Sequence, residues 1–224
     1  LDQIREVGVV ILGVPVLNRY DLLEKLIVSA ERGSVRPSEY FIVDNGNQYV
    51  PPRDGPLARR IAIQRPSRNV GVAASWNRIL RYAHGKDEPV VISNDDVVLG
   101  SNAFEALSSE LERGEVFVSG LGFALFGLRP ECLIKVGNFD ERFFPAYYED
   151  RDYERRMKLA GIEWRELPVS IHHEGWATSR AMNMEGHFDW YATNLQRYVE
   201  KWGGAPGLEL FDVPYNGKEI PVDA

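Results

Sequence analysis

Residues 7–33 read VGVVILGVPVLNRYDLLEKLIVSAERG, and their pattern sets the architecture expected of the chain. The opening VGVVILGV, residues 7–14, is an unbroken apolar run, which suits a strand covered on both faces better than one with a wet side. RYDLLEKLIVSAERG has helical spacing, and Gly33 supplies a stop. The alternation then repeats, with strands expected in EYFIVDNG (39–46), IAIQRP (61–66) and PVVISNDD (89–96), and helices in GVAASWNRILRYAHG (71–85) and SNAFEALSSELERG (101–114). Alternating elements of this kind build an α/β fold with a mostly parallel, doubly wound sheet flanked by helices. Ligands of such sheets bind outside the carboxyl ends of the strands. Four strand ends are therefore of interest: Pro15 to Arg19, Asp44 to Asn47, Arg65 to Asn69, and Asn94 to Asp96.

Beyond residue 114 the pattern changes. A strand-like EVFVSGLGFALFGLRP (115–130) is followed by a short helix and an acid-bearing helix, by one or two strands in IEWRELPVSIHHEG (162–175), and by a final helix near 188–204. No linker separates this half, so 1–224 is expected to form one domain with segments 1–114 and 115–202 and a tail from 203 to 224. A chain of 224 residues that is 44% hydrophobic can fill a substantial core. No apolar run approaches the roughly 20 residues that span a bilayer, so no transmembrane span is expected. With Cys132 as the only cysteine no intrachain disulfide can form, which suits a cytoplasmic setting. The net charge of -7 argues against non-specific binding to nucleic acid.

Several residues at these ends could carry chemistry. Asn94, Asp95 and Asp96 bring hard oxygen donors to a strand end, the kind that Mg²⁺ or Mn²⁺ prefers, although Asn and Asp also serve as turn and cap residues. His172 and His173 follow a strand and point to opposite faces if it continues, so at most one joins such a site. Asp44 can accept from a nucleobase imide or a ribose hydroxyl, or it can shape the turn DNGN. Gly71, small alanines and Asn77 at a helix start let a ligand approach the backbone closely. Neither a dinucleotide fingerprint nor a P-loop occurs. In FFPAYYEDRDYERRMKLAG (143–161), Glu149, Asp150 and Asp152 crowd against aromatic residues, which raises proton affinity as a general base requires, although acids also favour the first turn of a helix.

The order of these pieces, VPVLNR, VDNGN, NVGVAASWN, SNDDV, GNFDERFFPAYYEDRDYERRMKLAG and HHEGWAT, resembles the family 2 glycosyltransferases of the GT-A fold, rhamnosyltransferase-like enzymes among them, over roughly residues 7–180. The resemblance implies a nucleotide-binding half (1–114), an elaborated acceptor and catalytic half (115–202), and inverting transfer of one sugar from a UDP-, dTDP- or GDP-sugar to a glycan or other hydroxyl-bearing acceptor. If that acceptor were lipid-linked, the protein would work at a membrane surface. Carried over, the resemblance puts Pro15, Asn18, Arg19, Asp44, Asn45, Asn69, Gly71, Asn77, Asn94 and Asp95 around the donor. It assigns Asp96 with His173, or else His172, to Mn²⁺ or Mg²⁺, and makes Asp150, paired with Glu149, the catalytic base. Tyr147, Tyr148, Asp152 and Trp176 fall on the acceptor side. Asn94 stands where the family's DxD-type motif has its first acid, which leaves a non-catalytic sugar- or nucleotide-binding module as the alternative.

Overall fold

The computed structural model describes residues 9–174 and 187–218. Ile11–Val16 forms β1, near the middle of a seven-stranded sheet of order β3-β2-β1-β4-β7-β6-β8. The other strands are β2 (Glu39–Asp44), β3 (Ile61–Gln64), β4 (Val90–Ser93), β6 (Phe117–Leu121), β7 (Leu125–Leu128) and β8 (Arg165–Glu166). The pairings make β7 the one strand that runs against the rest. A second, two-stranded antiparallel sheet joins β5 (Val97–Leu99) to β9 (Ile171–His173). The run 115–130, expected as strand, is two strands joined by a tight turn at Leu121–Ala124.

The helices are α1 (Tyr20–Glu31), α2 (Gly55–Ala58), α3 (Gly71–His84), α4 (Ala103–Glu112), α5 (Pro130–Val136), α6 (Glu149–Leu159) and α7 (His187–Trp202). On one face of the sheet Leu23, Leu26 and Ile27 of α1 and Phe104, Leu107 and Leu111 of α4 pack against Leu12, Val14 and Val16. On the other, Trp76, Ile79 and Leu80 of α3 with Tyr153 and Met157 of α6 pack against Ile11, Val90 and Ile92. Both faces of β1 are thus covered, and this is why its sequence does not alternate. Each fully buried side chain of this size contributes roughly 1.5–3 kcal/mol of transfer free energy. A Cβ on Gly13 would meet Ile79 Cγ2 at 2.2 Å, so the missing side chain lets α3 lie close on β1.

The chain runs outward from β1 to β2 and β3, then returns through α3 to β4 on the other side of β1. The order therefore reverses between β1 and β4, and a crevice opens at their carboxyl ends. A third cluster of Phe143, Tyr148, Tyr198 and Trp202 fastens α7 to the segment that precedes α6. The tail from Gly203 to Lys218 folds back on this pair: Arg155 Nη2 donates to Phe211 O and Asp212 Oδ1, each at 2.9 Å.

Candidate active site

Asn18 and Arg19 leave β1 and Asn94 to Asp96 leave β4, so the reversal point brings them together. Asn18 is exposed. Arg19 pairs with Asp21 at 2.8 Å, and its carbonyl starts α1 by accepting from the Leu22 and Leu23 amides. Pro15 lies within β1, opposite Val43. Asn94 donates its amide to Ala124 O at 2.9 Å, which sets the turn beside the β6–β7 hairpin.

Asp95 and Asp96 are each only 7% exposed. Burial, and then the charge of Asp96, push the Asp95 carboxyl up to about 7, with Arg19 opposing. The β5–β9 register pairs Val97 with His173 and Val98 with His172. His173 Nε2 lies 3.0 Å from Asp96 Oδ1, whereas His172 is exposed. The hydrogen bond that His173 donates to Asp96 raises the imidazole above its usual range against the effect of burial. Among the described residues no three His, Cys, Asp or Glu side chains gather at one point. Asp96 and His173 nevertheless fit a divalent ion, because neighbouring ligands about 2.1 Å from an octahedral ion lie roughly 3 Å apart. Such ions commonly take only one or two protein ligands and leave the rest to phosphate oxygens and water.

Other expected donor residues turn inward. Asp44 has no exposed surface, and its carboxylate accepts from Tyr20 Oη (2.8 Å), the Tyr49 amide (3.0 Å) and Arg65 Nε (3.2 Å). Burial opposes ionisation there, but these donors outweigh it and hold the carboxyl below its usual range. Asn45 spans Ser75 Oγ and the Val70 amide, and Asn69 Oδ1 accepts from the Gly71 amide. Asn77 clamps the segment before α6: its Nδ2 donates to Phe139 O and Glu141 Oε1, and its Oδ1 accepts from the Phe139 amide at 2.7 Å. The polar atoms of Asp44, Asn45 and Asn77 are thus held by protein partners. Gly71, at φ +80, is constrained by the same segment, since a Cβ there would come within 2.8 Å of Pro145 O.

The Val72 amide donates to Pro145 O at 2.9 Å, so residues 139–148 lie over the start of α3 and carry the first turn of α6 to the carboxyl edge of the sheet. Tyr147 and Tyr148 both hold positive φ, 80° and 72°. Such backbone costs of order 1–3 kcal/mol per residue and persists where the surroundings over-determine it. Here Tyr148 is 7% exposed and lies 5.0 Å from Tyr191 and 5.9 Å from Tyr198, centroid to centroid. Tyr147 meets Tyr191 edge to face at 5.8 Å.

The three acids then take three different environments. Asp150 keeps partial exposure and accepts from the Arg151 amide at 2.8 Å, and burial raises its carboxyl above the usual range against the pull of Arg151. Glu149 is 5% exposed, and its Oε2 has no partner among the described residues. Burial, and then the Asp150 charge, raise Glu149 well above its usual range. Asp152, expected on the acceptor side, is instead wholly buried between α6 and α7, bonded to Lys201 Nζ (2.5 Å), Trp202 Nε1 (2.9 Å) and Arg156 Nε (2.9 Å). Trp176 lies outside the described residues.

Sequence reading missed the partners of these groups. Lys201 left a signal, because it occupies the same stripe as Asn194, Tyr198 and Trp202, a position helical spacing reserves for the core. Tyr20 and Arg65, which saturate Asp44, left none.

No curated protein shows significant sequence similarity to the chain. Among solved structures, a mannosyltransferase from Pyrobaculum calidifontis in complex with GDP-Man and Mn²⁺ is similar at a TM-score of 0.60 and 17% identity, over 88% of this chain and 66% of that one. GalNAc-T7 with UDP, GalNAc and Mn²⁺ matches at 0.65 and 11% identity, over 87% of this chain and 49% of that one. S. aureus TarS 1–349 matches at 0.52 and 14%, over 68% and 56%. The chain thus spans from about half to just under two thirds of the length of these structures, and the likeness shows a GT-A fold. The sequence profile of Glycosyl transferase family 2 matches residues 12–131, which run from β1 into α5 and include the reversal point and Asn94 to Asp96. With more than half of its length matched, the chain belongs to Glycosyl transferase family 2.

Proposed function

We propose that this protein transfers one sugar, with inversion, from a nucleoside-diphosphate sugar to an acceptor hydroxyl, and that Asp150 is the general base. The observation that carries the reading is the placement of Asp150. It is a partly exposed acid of raised proton affinity in the first turn of α6, which residues 139–148 hold at the crevice edge. The acceptor oxygen attacks the anomeric carbon and its proton passes to Asp150. The bond from that carbon to the diphosphate breaks, and the diphosphate leaves with the electron pair. Asp96 and His173 would hold Mn²⁺ or Mg²⁺, which would supply positive charge for the diphosphate when bound. Asn18, Arg19, Asn94 and Asp95 line the donor side directly, while Asp44, Asn45, Asn69 and Asn77 shape its wall.

The test is Asp150→Asn. General-base help is worth about 10² to 10⁴-fold, so turnover of the donor falls by that factor while metal-dependent donor binding, read by thermal shift, stays. Binding of a nucleotide sugar by the wild type with no turnover, or turnover untouched by the substitution, removes Asp150 as base. The first of these results favours the non-catalytic module, a reading to which Asn94 in place of an acid lends support.

A further inference from the structure

The family match ends at residue 131, before the segment that carries Asp150. What holds that segment is a polar stripe on α7. Asn194 Nδ2 donates to Ala146 O at 2.7 Å and to Phe144 O at 3.3 Å, and Arg197 Nη1 donates to Arg142 O at 2.8 Å. One turn on, Lys201 is 5% exposed and its ammonium sits between two carboxylates, Asp140 Oδ2 at 2.8 Å and Asp152 Oδ1 at 2.5 Å. Asp140 belongs to the segment before α6, and Asp152 lies in α6 two residues after Asp150. Lys201 thus bonds both to the incoming segment and to the acid-bearing turn.

A surface lysine would gain little from such a pair, since exposed ion pairs are worth about 0–1 kcal/mol. Within a nearly closed site the charges are screened far less, and the geometry of the three groups becomes fixed. The backbone fixed in this way includes the two tyrosines of positive φ, which need an outside constraint to persist.

We propose that Lys201 is a positioning residue for the reaction, bolting residues 139–148 to the first turn of α6 so that Asp150 faces the acceptor. The inference rests on Asp150 as the base. Misplacement of a catalytic group by about 1 Å costs on the order of 10²-fold in rate.

The test compares wild type, Lys201→Met and Lys201→Arg by amide hydrogen exchange, by binding of UDP or GDP with Mn²⁺, and by donor turnover. In Lys201→Met, exchange across 139–152 speeds up by about tenfold or more while β1, β2 and β4 keep wild-type protection. Turnover falls at least about tenfold with donor KM within about threefold of wild type. Lys201→Arg, which keeps a cation in the pair, recovers most of both. Asn194→Ala, which removes two hydrogen bonds to the same segment, shifts exchange in the same region and direction. The inference is overturned if exchange at 139–152 is unchanged, if it rises equally throughout the sheet, or if Lys201→Met keeps turnover within about twofold of wild type. A wild type that turns over no nucleotide sugar sinks the transfer reading instead, and the exchange comparison alone then decides for or against the bolt.

Discussion

Glu149 and Asp150 are chain neighbours whose carboxyls are both raised by burial, but in different surroundings. Asp150 keeps some exposure beside its backbone donor, whereas Glu149 is closed in with Oε2 unpartnered among the described residues, and burial raises its proton affinity well above the usual range. The folded carboxyl of Glu149 binds its proton more tightly than the unfolded one. The stability this gives is complete below the unfolded pKa and is lost as pH rises through the folded pKa. A glutamine there stays neutral at every pH. Glu149→Gln is therefore expected to melt above wild type at pH 8, by roughly 2–4 °C for about 1 kcal/mol, and to converge with it near pH 4. Calorimetry at the two pH values checks this, and a lower melting point at pH 8 would mean that Glu149 is ionised and paired. The crowding of acids was legible in the sequence; their division of labour was not. Residues two apart on a helix lie about 200° apart, so Asp152 could not share the face of Asp150, and its place facing α7 follows from helix geometry once the helix start is known.

At the scale of elements, the strand ends were the legible part. Period and composition located β1, β2, β3 and β4 and so the strand ends at which ligands of a parallel sheet bind; the strand order that puts the reversal between β1 and β4 came only with the structure. The choice between His172 and His173 depended on a strand too short to announce itself. The three residues of β5, Val97–Leu99, set the register that faces His173 to Asp96 and His172 to solvent. His173→Ala is accordingly expected to weaken Mn²⁺-dependent nucleotide binding by at least about tenfold, and His172→Ala to leave it within about twofold. Titration calorimetry with and without the metal separates the two. Equal effects, or a larger one from His172→Ala, would remove the Asp96–His173 pair as the metal site.

At the scale of the whole molecule, the matched half and the C-terminal half meet along seams that are polar as well as apolar. Asn77 grips Phe139 and Glu141 and the α3 start grips Pro145, and within the C-terminal half Lys201 with Arg142 braces the same segment at Asp140. Burial opposes ionisation of Asp140, but the Arg142 hydrogen bonds and the Lys201 charge outweigh it and leave the carboxyl far below its usual range. Its contribution is thus present above the unfolded pKa and is lost as pH falls through the folded one. If these seams unite the halves into one domain, wild type melts in a single transition whose midpoint drops as pH falls below about 4. Asp140→Asn removes one partner of a buried ion pair, a change that costs roughly 3–5 kcal/mol at neutral pH. Its deficit narrows at low pH, because the wild-type carboxyl is then losing its charge as well. Scanning calorimetry of both proteins from pH 7 down to about pH 2 reads the two curves directly. A deficit that stays constant over that range would show that packing, not charge, holds the segment at Asp140. Two separate transitions in the wild type would show that the half carrying Asp96 and the half carrying His173 and Asp150 fold independently, so that their alignment would have to come from the bound donor.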